Sequence, residues 1–219
     1  AFSQSSTFHS EYCSQTRDDV ICLSIATDKN DCYMRYMQSC EKYGAWPVVM
    51  GLDKKWSGGN MKKGPGGGQK INLLREFIKS QRENKLLVFT DNYDVIMNDH
   101  INILVDNYNT YYKGKIVFGC ETSCWPDVSL SERYPDAPNG SDLKYLNSGV
   151  FMGYTNDIRK IIEKPINNSD DDQLYYTKEF LDNEKIVLDY SCRLFLCLNG
   201  ITDRIHISKS KSCINYKKE

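Results

Sequence analysis

The sequence predicts an α/β fold: a central, largely parallel sheet with helices on its faces. Three observations predict it. Apolar runs of strand length, such as Leu86 to Phe89, read as strands buried on both faces. Segments with apolar residues at helical spacing alternate with them. The runs end in polar or acidic residues, among them Thr27, Asp91 and Glu121, where such sheets place their ligand crevice.

The elements follow in order. Val20 to Thr27 is a first buried strand, and Asp28-Lys-Asn-Asp31 supplies turn and N-cap chemistry. A helix through Tyr43 puts Tyr33, Tyr36, Met37 and Cys40 on one face, and Trp46 to Met50 is a second strand. Residues 51–70 hold seven glycines and five lysines, too much glycine for a regular element, and read as a loop. Ile71, Leu74, Phe77 and Ile78 share a helix face, and the strand into Asp91 comes next. Ile101, Leu104, Val105 and Tyr108 mark a further helix, and Lys115 to Glu121 a further strand. Residues 122–144 are an irregular excursion, long enough to be functional. Tyr145 to Tyr154 returns as a strand, followed by a helix with Ile158, Ile161 and Ile162. Asp170-Asp-Asp172 caps a helix over 173–181, and Ile186 to Asp189 is a short strand. An apolar run from Cys192 to Leu198, a late strand around His206 and a basic tail from Lys209 complete the chain. Residues 1–219 are expected to form one domain.

Composition narrows the function. Lys plus Arg number 28 against 29 Asp plus Glu, a net charge of −1, so the sequence carries no electrostatic signature of nucleic-acid binding. No apolar run approaches the roughly 20 residues that span a bilayer. The polar start from Ala1 to His9 lacks a secretory signal's plan. Nine cysteines show no zinc spacing, Cys22 lies in an apolar run as a buried thiol, and the compartment stays open. Asn139-Gly-Ser141 and Asn167-Asn-Ser169 have the form of glycosylation sequons.

The chemistry centres on Asp91-Asn-Tyr-Asp94. Two acids three residues apart at a strand end can grip one hard divalent cation, which in turn can hold a diphosphate. That is the usual chemistry of a glycosyltransferase using a sugar nucleotide. The rival reading makes one acid a turn cap and the other a solvated surface group. The Gly-Lys loop could cradle phosphate, with Trp56 stacking on a flat ring and the loop closing as a lid, or could be a solvated surface loop. Three successive acids at 170–172 repel one another unless a cation or a sugar hydroxyl meets them. Trp125 offers an apolar face to a sugar or a side chain to the core, and Tyr93 has the same two options.

In order along the chain, Ala26-Thr27, Trp56-Ser-Gly-Gly59, Gly66-Gly-Gly-Gln-Lys70, Thr90-Asp-Asn-Tyr-Asp-Val95, Glu121 with Cys124-Trp-Pro126, Tyr145-Leu-Asn-Ser-Gly149, Asp170-Asp-Asp-Gln-Leu174 and Leu198-Asn-Gly200 resemble the N-terminal glycosyltransferase domain of the multifunctional procollagen-lysine hydroxylases. Free-standing viral relatives share the pattern. The resemblance implies a GT-A fold with a Rossmann-like sheet, UDP-glucose as donor, Mn²⁺ as metal, and galactosyl-hydroxylysine of collagen or a collagen-like protein as acceptor. The implied product is glucosyl-α-1,2-galactosyl, formed with retention. It implies that Asp91 and Asp94 hold the metal, and that Thr27, Trp56, Lys70 and Tyr93 contact UDP. Glu121, Asp171 and Asp172 become the catalytic candidates, and Trp125 and Asn147 line the sugar and acceptor side. The family completes its metal site with a histidine in a His-Gly-x-Gly segment, which these 219 residues do not contain; His206 is the substitute the sequence offers. A galactosyltransferase and an inactive sugar- or collagen-binding module are the alternatives. The resemblance suits the endoplasmic reticulum lumen for a cellular protein, and the host cell or virion for a viral one.

Overall fold

The computed structural model describes residues 18–61, 64–208 and 213–216. The expectations for the polar start, for Lys62 and Lys63 and for most of the basic tail therefore lie outside the described residues. Six strands form one sheet in the order β2-β1-β3-β5-β4-β6: β1 (Val20–Ile25), β2 (Val48–Met50), β3 (Leu86–Asp91), β4 (Ile116–Glu121), β5 (Tyr145–Tyr154) and β6 (Ile186–Leu188). β1, β2 and β3 are mutually parallel, and β4 is parallel to β6. β5 runs antiparallel between β3 and β4. This is the mixed sheet of a GT-A, Rossmann-like fold.

Helices cover both faces because the strands alternate between two apolar clusters. Leu87 and Phe89 of β3, with Phe118 and Phe151, meet α2 (Gly68–Ser80), α4 (Thr155–Ile161) and α5 (Asp172–Leu181) through Ile71, Leu74, Ile158 and Tyr176. Leu86, Val88, Val117 and Met152 meet α1 (Asp31–Lys42) and α3 (Ile101–Tyr111) through Tyr36, Cys40, Val105 and Tyr108 on the other face. Phe151 anchors the first cluster, its ring centroid 4.7 Å from Phe89 and 4.9 Å from Phe118. Each such ring pair adds about 0.5–1.5 kcal/mol beyond area burial. A two-stranded antiparallel ladder of β7 (Ile205–Ser208) and β8 (Cys213–Tyr216) lies apart from the sheet, and the late strand around His206 is β7. The side chain of His206 lies outside the described residues.

Two features position the site. Parallel β1, β3 and β4 bring Thr27, Asp91 and Glu121 to one edge, and antiparallel β5 starts there, with Tyr145 opposite Glu121. The ladder between β4 and β5 then breaks: Phe118 pairs with Phe151, but Gly119 pairs with Asn147. Ser148, Gly149 and Val150 are thus looped out of that ladder, a bulge of the kind that re-aims side chains beside active sites.

The elements differ from expectation in a few places. Helix α2 begins at Gly68, inside the stretch read as loop, so Gln69 and Lys70 sit in its first turn. Residues 192–198 form no regular element, although Phe195 is buried. Among the described cysteines no disulfide is present, and burial pushes the Cys22 thiol up to about 12.

Candidate active site

At the carboxyl edge of the sheet, Lys70 lies between two acids. Its ammonium is 3.0 Å from both carboxylate oxygens of Asp91 and 2.8 Å from Asp172 Oδ2. Lys70 and Asp172 are almost wholly buried, and the side chain of Asp91 keeps 23% of its exposure. The fold forces this meeting. Gly67, at a φ of +101°, lets the chain turn sharply into α2, and a Cβ there would stand 2.5 Å from Asp172 Oδ1. Gly67 also bridges to Asp171, Gly68 N–H donates to the Asp170 carbonyl, and Asp172 N–H donates to the Gly66 carbonyl. The glycines thus let two backbones close together, so that the first turns of α2 and α5 face each other.

The three successive acids have three separate partners. Asp170 closes a turn by accepting from the Asn167 backbone and side-chain N–H groups. Asp171 is the N-cap of α5, accepting from Leu174 N at 2.7 Å, and its second oxygen accepts from Gly66 N. Asp172 takes the lysine, the cation that the run of like charge requires.

Glu121 is also buried. It accepts from Gln173 Nε2 through one oxygen and from Asn199 Nδ2 at 3.2 Å through the other. Gln173 in turn accepts from the backbone N–H of Ser148 in the bulge. The Gln173 amide therefore has a forced orientation, its donor end on the carboxylate and its acceptor end on β5. Gln173, Ser148 and Asn199 were not singled out from sequence. Gln173 could have been found, one residue past the capping acids and so on the helix end that faces the site.

The remaining sequence candidates fall around this centre. Tyr93 and Thr27 are brought together: the Tyr93 hydroxyl accepts from the backbone N–H of Thr27 and Asp28, at 3.0 and 2.8 Å. Asn147 accepts from Gly149 N, and a Cβ at Gly149 would lie 3.1 Å from Asn147 Oδ1 and 3.3 Å from Asp91 Oδ2. Trp125 is half exposed beside the Gln173 amide, not in the core. Trp56 is tied to its own loop through an indole N–H on the Gly59 carbonyl at 2.7 Å. Asp94 is exposed and makes no hydrogen bond or ion pair among the described residues. Among the lysines of the Gly-Lys loop, Lys54 pairs with Glu76 at 2.8 Å instead of facing the acids.

The electrostatics favour a further cation. Burial raises the Asp91 carboxyl to about 6, and the neighbouring Asp172 and Asp94 add to it against the pull of Lys70. Burial acts against the charge of Lys70, but Asp91 and Asp172 outweigh it and hold the ammonium protonated. Two carboxylates thus share one lysine, with the charge of Asp94 close enough to act on Asp91. The donors that Asp91 and Asp94 present are oxygens only, which suits Mg²⁺ or Mn²⁺. Among the described residues no group of three or more His, Cys, Asp or Glu side chains is assembled for a metal. An ion held by this pair would have to draw its other ligands from elsewhere, such as diphosphate and water. A concavity of about 710 Å³ lined by Asp18, Lys85, Leu86 and Tyr154 lies at the opposite edge, where parallel strands begin and ligand crevices do not form.

Comparison with known proteins shows the family. Residues 16–218 match the family model described as the PLOD GT domain. This chain belongs to that family. It is a PLOD glycosyltransferase domain, 38% identical to an uncharacterized protein of Acanthamoeba polyphaga mimivirus over 88% of this chain and 42% of that protein. It is 38% identical to the procollagen-lysine,2-oxoglutarate 5-dioxygenase of Drosophila melanogaster, over 89% of this chain and 28% of that protein. It is 35% identical to the multifunctional procollagen lysine hydroxylase and glycosyltransferase of Caenorhabditis elegans, over 86% of this chain and 27% of that protein. The chain spans less than half the length of these curated relatives. Among the described residues of this PLOD domain, no helix is long and apolar enough to cross a membrane.

Proposed function

We propose that this PLOD glycosyltransferase domain is a retaining, Mn²⁺-dependent glucosyltransferase. It moves glucose from UDP-glucose to galactosyl-hydroxylysine of a collagen-like protein and forms an α-1,2 linkage. One observation carries the reading: two carboxylates share one lysine at the carboxyl edge of the sheet, beside the charge of Asp94 and with buried Glu121 at the end of β4.

Asp91 and Asp94 would hold the ion, which supplies Lewis-acid neutralisation of the departing diphosphate. The chain's own residues do the rest. Lys70 keeps positive charge beside Asp91 and Asp172, while the first-turn N–H groups of α2 are taken up by the carbonyls of Asp170, Asn168 and Gly67. Thr27, Tyr93 and Trp56 frame the nucleotide, and Trp125 and Asn147 the sugars. The bond from the anomeric carbon to UDP oxygen breaks, and the acceptor hydroxyl forms its bond on the same face. Its proton passes to a carboxylate, Glu121 or Asp172, or to the departing diphosphate. Carboxylates also stabilise the oxocarbenium-like centre. Asp171, with both oxygens on backbone N–H groups, serves by fixing where α5 begins, and so where Asp172 and Gln173 point.

The test is UDP release from UDP-glucose, with and without Mn²⁺, on a galactosyl-hydroxylysine peptide. Asp91→Ala and Asp94→Ala are expected to lower Mn²⁺-dependent release at least a hundredfold. Full activity in both variants removes the metal assignment. Preferential turnover of UDP-galactose would replace the donor.

A further inference from the structure

Between the two acids of the metal pair, the chain turns inward once. Asn92 is 1% exposed, its Nδ2 donates to Ser24 Oγ at 3.2 Å, and its Oδ1 has no hydrogen-bond partner among the described residues. Ser24 lies wholly buried on β1, directly across from Thr90 on β3. The Thr90 hydroxyl pairs with the Tyr36 hydroxyl of α1 at 2.7 Å. A polar layer thus underlies the turn on the side away from the ligand edge, in a region otherwise packed with apolar side chains. Outside the turn, the Tyr93 carbonyl accepts from Arg35 at 2.9 Å and the Tyr93 hydroxyl is pinned to β1's exit. Asp94 follows with no hydrogen bond or ion pair of its own among the described residues, so its place relative to Asp91 is set by what holds residues 92 and 93.

We propose that Asn92, seated on Ser24, is a positioning residue that fixes the separation of Asp91 and Asp94 and thereby the affinity of the pair for a divalent cation. The proposal rests on the metal reading of that pair. An amide buried with half of its capacity unpaired stabilises the fold poorly, since a small apolar side chain could fill the place without an orphan acceptor. Its single bond ties the midpoint of the turn to a wholly buried residue of β1. Groups behind metal ligands typically change affinity ten- to a hundredfold when removed.

The experiment is direct Mn²⁺ titration without donor, read by the electron paramagnetic resonance signal of free and bound ion, beside metal-free thermal melting. Asn92→Ala is expected to weaken Mn²⁺ binding about tenfold and to broaden the bound-ion signal, with a melting temperature unchanged or raised. Ser24→Ala keeps Asn92 and removes only its anchor. It is expected to weaken binding in the same direction, and it carries the test if Asn92→Ala fails to fold. Equal Kd values for the unaltered chain and a folded variant overturn the positioning role and leave the metal reading standing. No Mn²⁺ binding by the unaltered chain overturns the metal reading, and the positioning role with it.

Discussion

At the carboxyl edge of the sheet one lysine lies between two acids; at the opposite edge one acid lies between two lysines. Lys70 joins Asp91 and Asp172, whereas Asp157 accepts from Lys160 at 3.3 Å and Lys185 at 3.0 Å. The charges are of the same kinds and the distances similar, yet the two acids move in opposite directions. Asp91 is raised to about 6 because burial leads and two further acids add to it. Asp157 is also pushed up by burial, but bonds and charge from Lys185 and Lys160 outweigh that and leave it below its ordinary value. Its lysines are 72% and 55% exposed, against 6% for Lys70. A cluster with too few cations in a dry place is poised to accept one more. A cluster whose acid is 18% exposed but whose two lysines stand in water already has its charge met.

The strongest way to break this contrast is to remove the shared cation. Lys70→Met leaves Asp91 and Asp172 facing each other with no counterion. It is expected to cost about 3 kcal/mol in denaturant unfolding, the low end for a broken buried pair because Asp91 keeps some exposure. Mn²⁺ is expected to restore stability to this variant, by about 2.7 kcal/mol at a hundred times Kd. It should stabilise the variant more than it stabilises the unaltered chain. Equal stabilisation of both would mean that the carboxylates do not lack a cation.

Acidification separates the two clusters by sign. For Asp91 the folded value lies above the unfolded one, so its proton contributes stability below about 3.8 that is lost as pH rises through about 6. On the proposed metal site, Mn²⁺ would compete with that proton. Binding is expected to be flat above about pH 6.5 and to weaken up to tenfold per unit as pH falls below about 6. For Asp157 the folded value is lowered, so its contribution is present above about 3.8 and lost as pH falls. Mn²⁺ titrations from pH 5 to 7.5 show whether the first limb exists.

What the sequence reveals of this comparison follows from distance along the chain. Asp91 and Glu121 were legible because an apolar run that stops at an acid is a local signal. An acid-capped start to α5 was legible from the local run 170–172, though not which acid caps it. Lys70 reads as part of a glycine-rich loop, because Gly68 and its neighbours hide a helix start and glycine is a poor helix former; its contact with UDP is what the resemblance implies. Its partner Asp172 is remote in sequence, and no local pattern couples them. The antiparallel entry of β5 and its bulge were equally invisible, since an apolar run carries no direction. Asn92 drew no notice because a buried amide between two acids looks in sequence like any polar turn residue.

The smallest expected effect lies at the surface cluster, and it sharpens the contrast from the other side. Asp157→Asn removes the charge that Lys160 and Lys185 share while keeping a side chain of the same size. Both lysines keep their hydration, because neither is buried. The stability lost at pH 7 is therefore expected to stay below about 1 kcal/mol. Salt at about 0.5 M should erase most of it, since screening acts within a few ångströms at that strength. Mn²⁺ binding and UDP release should be untouched. A loss as large as that of Lys70→Met would mean that partner number, not burial, governs both clusters, and the case for an unmet cation at Asp91 would lose its main support.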